Sequence, residues 1–186
     1  SPLGRCALSA LASLKPQADE PTVWASSWGD ISRTFKLTQT LSQHEDMSPA
    51  DFALSVHNAV GAQAAIWLKN HASTSAVAAG PVTASCALLE AFLKLQSSPS
   101  VLVVRYEESM PELWRNNDSD SAPLPCAWAL RLTSAPNAQT IKLKTVDAAN
   151  VGKSTCHILD EIRFLINGTD AYAESDGVRA WHWGRL

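Results

Sequence analysis

The chain has 186 residues, 46% apolar and 18% charged, the balance of a globular protein that can bury a core without disulfide or metal staples. Its formal net charge is −3 with no basic block, which excludes the clustered Lys and Arg that a nucleic-acid partner needs. No apolar run approaches the roughly 20 residues of a membrane helix, and Cys6, Cys86, Cys126 and Cys156 show no short-spaced pattern, so no membrane span and no metal site are expected, and reduced thiols point to a cytoplasmic protein.

From the N-terminus, "SPLGRCALSALASLK" predicts an amphipathic helix from Pro2 to Lys15, with Leu3, Leu8, Leu11 and Leu14 on one face. It lacks the continuous apolar centre of a signal peptide. "PTVWASS" predicts a short strand, and Asp30 caps a helix running to about Gln43 with Ile31, Phe35 and Leu41 inward. Ser48-Pro49-Ala50-Asp51 is a helix start: a hydroxyl cap, a proline in the first turn, a carboxylate at the third position. That helix runs toward Lys69, with a break near Ser55 as the alternative. "STSAVAAG" predicts a strand of small residues, and Val82 to Gln96 a helix with Val82, Cys86, Leu89 and Leu93 on its apolar face. "SVLVVRYEES" predicts a buried strand of the kind found in parallel sheets. After a polar loop at 116–125, "CAWALRLTSA" and "TIKLKTV" predict strands, Ser154 to Asn167 a helix, and "GVRAWHW" a closing strand. Parallel crossovers early and antiparallel pairing late make the class α/β, a mixed sheet with flanking helices.

Several motifs are weaker than they look. "NVGKST" (150–155) lacks the glycine that a phosphate-binding loop requires five residues before Gly152, where Asp147 stands, so a helix cap is expected and no cofactor. Asn167-Gly168-Thr169 reads as a helix stop rather than a glycosylation site. His57, beside Asn58, reads as a packed or hydrogen-bonded helical histidine, a polar site at most. The sharpest feature is the turn Ala79-Gly80-Pro81-Val82 between strand and helix. Gly80 can adopt positive φ and Pro81 needs no amide partner at the first helical position. A nucleophile there would gain from the helix N-terminus, and Pro81 offers none; Cys86 lies further in, on the apolar face.

Ser48 to Leu95 resembles the central part of the β-ketoacyl-ACP synthase family, of the thiolase fold. Asn58-Ala59-Val60-Gly61 falls on the helix core, Ser75-Ala76-Val77-Ala78-Ala79-Gly80 on the small-residue strand, and Pro81 on the reactive cysteine's position. Over most of its length the chain is similar to short "β-ketoacyl synthase, N-terminal domain" proteins of aryl-polyene-type and related fatty-acid-like gene clusters. Ala25-Ser26-Ser27-Trp28-Gly29-Asp30, Ser48-Pro49 with Phe52, Ser55-Val56-His57-Asn58, the Ala79-Gly80 turn and Trp181-His182-Trp183 carry that likeness. Asp30 departs from the family's Glu, and Pro81 stands where an acidic residue is common.

The resemblance implies one domain over 1–186, like the N-terminal half of a ketosynthase, with neither the nucleophilic cysteine nor the later half that supplies a histidine pair. It implies a non-catalytic, chain-length-factor-like subunit. The partner would be a full-length, cysteine-bearing ketosynthase, and indirectly its acyl carrier protein. Ser75, Ala76, Val77, Ala78 and Ala79 would pair across the dimer, Gly80 and Pro81 would be a degenerate nucleophile position, and Phe52, Leu54, Val56, Ile66 and Trp67 would wall the partner's acyl pocket; Trp67 could equally be core. Two other readings stay open: an acyl-thioester hydrolase using His57, and an acyl-chain-binding homodimer joined through residues 74–79.

Overall fold

A computed structural model describes residues 1–115, 124–134, 139–152, 158–167 and 171–185. Helix α1 (Pro2–Ser13) starts where the Ser1 hydroxyl accepts from the Gly4 amide. It leads to β1 (Thr22–Ala25) and then α2 (Ile31–Ser42), capped by Asp30, whose carboxylate accepts from the Arg33 amide at 3.2 Å. The Ser48 hydroxyl caps α3 (Pro49–Ser55), and the chain breaks there: Val56 is extended before α4 (Ala59–Leu68) begins. β2 (Thr74–Val77) and a single turn of 3-10 helix at Gly80–Val82 lead into α5 (Thr83–Lys94). The rest is β3 (Ser100–Glu107), β4 (Cys126–Thr133), β5 (Ile141–Val146), α6 (Ile158–Asn167), β6 (Ala171–Ser175) and β7 (Ala180–Arg185).

Two sheets result. In the first, of order β2-β1-β3-β4, β1 runs parallel to β2 and β3, while β4 is antiparallel to β3. The second, β5-β7-β6, is antiparallel throughout. This is a mixed α/β architecture, as the sequence pattern predicts.

β3 is apolar in succession because both of its faces are covered. Leu102, Val104 and Tyr106 point, with Trp24 of β1, into a core completed by Leu3, Ala7 and Leu11 of α1 and by Val60 and Ala64 of α4. Val101 and Val103 point the other way, with Val23 and Ala25, toward Ala84, Ala87, Leu88 and Ala91 of α5, Ile158 and Phe164 of α6, and Trp183 of β7. Helices α5 and α6 thus share the space between the two sheets. Gly61 lets α4 lie flat on the Trp24 ring: a Cβ there would stand 2.7 Å from Trp24 Cδ1.

Two expectations are corrected. The buried stripe of α5 is Thr83, Ala84, Ser85, Ala87, Leu88 and Ala91, whereas Leu89 and Leu93 are exposed and Cys86 is half-buried. A helix held between two layers approaches them closely through small residues, and its large side chains turn outward. Leu41 is exposed as well, because α2 packs through Ile31 at its first turn. The helix start expected at "NVGKST" falls on residues 153–157, outside the described residues; just before it Asp147 accepts from the Ala149 amide and caps a one-turn 3-10 helix, Ala148–Asn150. Most of the 116–125 loop and the end of the Asn167-Gly168-Thr169 motif also lie outside them. Among the described residues no helix is long and apolar enough to cross a membrane.

Candidate functional site

The turn after β2 is held by hydroxyls. Gly80 takes φ +54°, the left-handed region that favours glycine, although an added Cβ would meet nothing within 4 Å. Its carbonyl accepts from Thr83 Oγ1 at 2.7 Å and from Ser27 Oγ at 3.0 Å, and Thr83 Oγ1 accepts from the Ala79 amide at 2.9 Å. Both hydroxyls therefore serve the backbone. Pro81 brings only its ring to the apex.

Below the turn lies a buried charged cluster that the sequence reading missed. Arg105 of β3 pairs with Glu107 on its own strand and with Glu161 of α6, and all three side chains are almost fully buried. Glu107 also accepts from the Ser27 amide and, at 3.2 Å, from Ser26 Oγ, so it ties the cluster to the end of β1. Trp128 Nε1 donates to Glu161 at 2.7 Å. Glu174 of β6 accepts from the Ser85 amide at 2.8 Å and from the Tyr172 hydroxyl at 3.2 Å, while Trp183 Nε1 donates to Ser85 Oγ at 2.7 Å. The electrostatic advantage of the α5 N-terminus thus goes to a carboxyl group from the second sheet.

One guanidinium serves this buried cluster, and two of its carboxyls, Glu174 and Glu161, hold their protons more tightly than a free carboxyl. Burial above all, and then the charge of Glu161, push Glu174 up to about 7. Burial also raises Glu161, against the pull of Arg105.

β2 forms the margin of the first sheet. Its inner side pairs with β1: the Ser73 and Val77 carbonyls accept from the Thr22 and Ser26 amides. Neighbouring residues in a parallel strand address opposite sides, so the amide and carbonyl of Ala76 face outward. Ala76 and Ala78 are exposed, while Ser75, Val77 and Ala79 are half-buried, and Ser75 Oγ donates to Glu90 of α5 at 2.7 Å. Among the described residues no strand covers this edge.

The "Beta-ketoacyl synthase, N-terminal domain" family model matches residues 1–184. The chain belongs to that family. No curated protein matches it. Among solved structures, this family member is similar to a chain of the complex of the ketosynthase ApeO with its chain length factor ApeC from Xenorhabdus doucetiae. The identity is 24% and the TM-score 0.84, over all of this chain and 78% of that one. It is also similar to a chain of the ishigamide ketosynthase/chain length factor, 17% identical with a TM-score of 0.53, over 69% of this chain and 42% of that one. At these identities both likenesses speak to the fold, which is ketosynthase-like.

The ketosynthase-like fold distributes the remaining candidate residues unevenly. Phe52, Val56, Ile66 and Trp67 are exposed and Leu54 is half-buried. Trp67, 58% exposed, is therefore not a core residue of this chain. His57 is committed to the backbone: its Nε2 lies 2.7 Å from the Ser26 carbonyl, and its own carbonyl accepts from the Tyr106 hydroxyl at 3.3 Å. It fastens the α3–α4 joint to the end of β1. Asn58 is exposed and makes no side-chain cap on α4. The structure thus does not gather His57 and Asn58 into one polar pocket. Among the described residues no group of three His, Cys, Asp or Glu side chains could hold a metal. The buried cluster did leave a trace in the sequence: "RYEE" ends an otherwise apolar strand, and charges there need internal partners.

Proposed function

We propose that this β-ketoacyl synthase family member is a non-catalytic, chain-length-factor-like subunit, a single ketosynthase N-terminal-half-like unit that pairs with a cysteine-bearing ketosynthase. The observation that carries the reading is the open β2 edge. An uncovered strand with outward amides and carbonyls invites pairing with another chain. Here the strand is made of small residues, and the helices packed against it carry exposed apolar side chains: Ile66 and Trp67 on α4 and Leu93 on α5. Such faces mark interaction surfaces.

At the turn, condensation would need an activated nucleophile and an oxyanion site in register. Pro81 has no nucleophilic atom, and Ser27 and Thr83 spend their hydroxyls holding Gly80. In the proposed complex Phe52, Leu54, Val56, Ile66 and Trp67 face the partner and limit the acyl chain that its pocket admits. The partner carries the chemistry and receives the acyl carrier protein. The fold likeness to structures of ketosynthases with chain length factors supports this arrangement.

The test is co-expression with candidate cysteine-bearing ketosynthases, followed by mass measurement of the purified species. A one-to-one complex is expected. A protein that stays monomeric at high concentration and co-purifies with no ketosynthase overturns the reading, and a homodimer through residues 74–79 replaces it with the homodimeric alternative.

A further inference from the structure

A cleft of about 620 Å³ opens between the C-terminal half of α5 and the second sheet. Its walls are Leu88 and Phe92 of α5, Leu132 of β4, Leu143 of β5, Leu165 of α6 and Trp181 of β7. It lies roughly 13 Å along α5 from the Gly80 turn, taking 1.5 Å per residue from Thr83 to Phe92. A cleft of this size and lining is that of a small-molecule site. It also explains two exposed side chains, since Leu89 and Phe92 line it.

The charges in its wall select the ligand. Among the described residues that line it, only Arg131 and Arg185 are charged, and none is a carboxylate. Arg131 is matched by Glu20, which its Nε and Nη2 reach at 2.6 and 3.0 Å. Arg185 has no carboxylate partner among the described residues. Its Nη2 donates to the carbonyls of Phe164 and Leu165, its Nη1 to Gln139 Oε1, and its guanidinium lies over the Phe164 ring. Those neutral acceptors hold the guanidinium in place and leave its charge unbalanced beside an apolar space. A half-buried cation in that position favours an anionic head on an apolar tail.

We propose that this cleft binds a long-chain carboxylate, with the chain between α5 and the second sheet and the carboxylate toward Arg185. The inference does not depend on the partner proposed above, because every wall residue belongs to this chain.

The test is calorimetric titration of the full chain with dodecanoate, dodecan-1-ol, dodecyltrimethylammonium and acetate. Dodecanoate should bind one to one and at least about tenfold more tightly than the ammonium of equal length, the scale of one charge-assisted contact. Acetate should not bind. Leu143→Trp, which fills the cleft, should abolish dodecanoate binding. Arg185→Gln should reduce the preference for the acid over the alcohol about tenfold. Since Arg185 also anchors α6, the ligand series on the unmutated protein decides the matter if that variant fails to fold. Equal affinity for the acid and the ammonium, absence of saturable binding, or one-to-one binding retained in a folded Leu143→Trp protein overturns the proposal.

Discussion

The carboxylate of Glu174 accepts the Ser85 amide at 2.8 Å, so a residue of the second sheet caps the helix that follows the Gly80 turn. The two positions lie 89 residues apart in sequence. Glu174 is fully buried and its carboxyl is raised from 4.5 to about 7. A carboxyl with a raised folded-state pKa binds its proton more tightly in the folded than in the unfolded chain. Its stabilising contribution is fully present below about 4.5 and is lost as the pH rises through about 7.

Glu174→Gln keeps an acceptor for the Ser85 amide and removes the titration. The variant should gain on the parent by roughly 2.5 kcal/mol between pH 5 and pH 8, most of the linkage of such a shift. Urea unfolding midpoints at the two pH values measure it. A difference between variant and parent that does not change with pH rules out Glu174 as the titrating group.

Gly61 and Trp24 set up a contest between helix propensity and packing. On an exposed helix face, Gly→Ala is worth about 1 kcal/mol of stabilisation. Here the new methyl would stand 2.7 Å from Trp24 Cδ1, 2.9 Å from Cγ and 3.0 Å from Nε1. The ring cannot retreat, because it is fully buried and Nε1 donates to Thr22 Oγ1 at 3.0 Å. Packing should win, and Gly61→Ala should lose about 1–3 kcal/mol, the cost of overfilling a close-packed site. A raised thermal midpoint would show instead that α4 can lift off the ring.

Pro81→Cys tests whether the turn alone is the missing chemistry. The substitution puts a thiol at the first helical position, near a helix N-terminus. The caps are already used: Glu174 holds the Ser85 amide, and Ser27 and Thr83 hold Gly80. The variant should alkylate with iodoacetamide and yet release no carbon dioxide from malonyl thioesters when assayed alone. Turnover by the single variant would disprove the claim that a second half is also missing, and would leave the turn as the one lost element of the chemistry.

How far the sequence reveals this fold depends on the range of the interactions. The caps at Ser1, Asp30 and Ser48 act over a few residues and are legible, as is the two-sided burial of β3, which writes a continuous apolar run. The turn at Gly80–Pro81 is legible because glycine's positive φ and proline's fixed φ leave little choice. The face of α5 is not. Hydrophobic size favours Leu89 and Leu93 as the core, but the helix lies close between two layers, where Ala84, Ala87 and Ala91 fit. The Arg105, Glu107, Glu161 and Glu174 cluster is hidden for another reason: Arg105 and Glu161 are 56 residues apart, and only the packing of α6 on the first sheet joins them. The cleft beside Arg185 depends on how the second sheet stands off α5, which no local pattern records.

Ala76→Pro separates folding from assembly. In β2 the Ser73 and Val77 carbonyls are spent on β1, so the Ala76 amide faces away from the sheet. Proline removes that outward donor and leaves the inner pairing, which is why edge strands accept it. The isolated protein should therefore keep its far-ultraviolet spectrum and lose no more than about 1–2 kcal/mol for the strained strand torsion. The one-to-one complex with the ketosynthase should be lost, because the pairing strand can no longer donate at its centre. Ala76→Lys keeps the donor and changes only the exposed side chain, so a strand-paired interface should tolerate it better than the proline. A proline variant that folds and still assembles with full affinity shows that the partner does not pair with β2; assembly lost equally in both variants assigns the contact to side chains rather than to the backbone ladder.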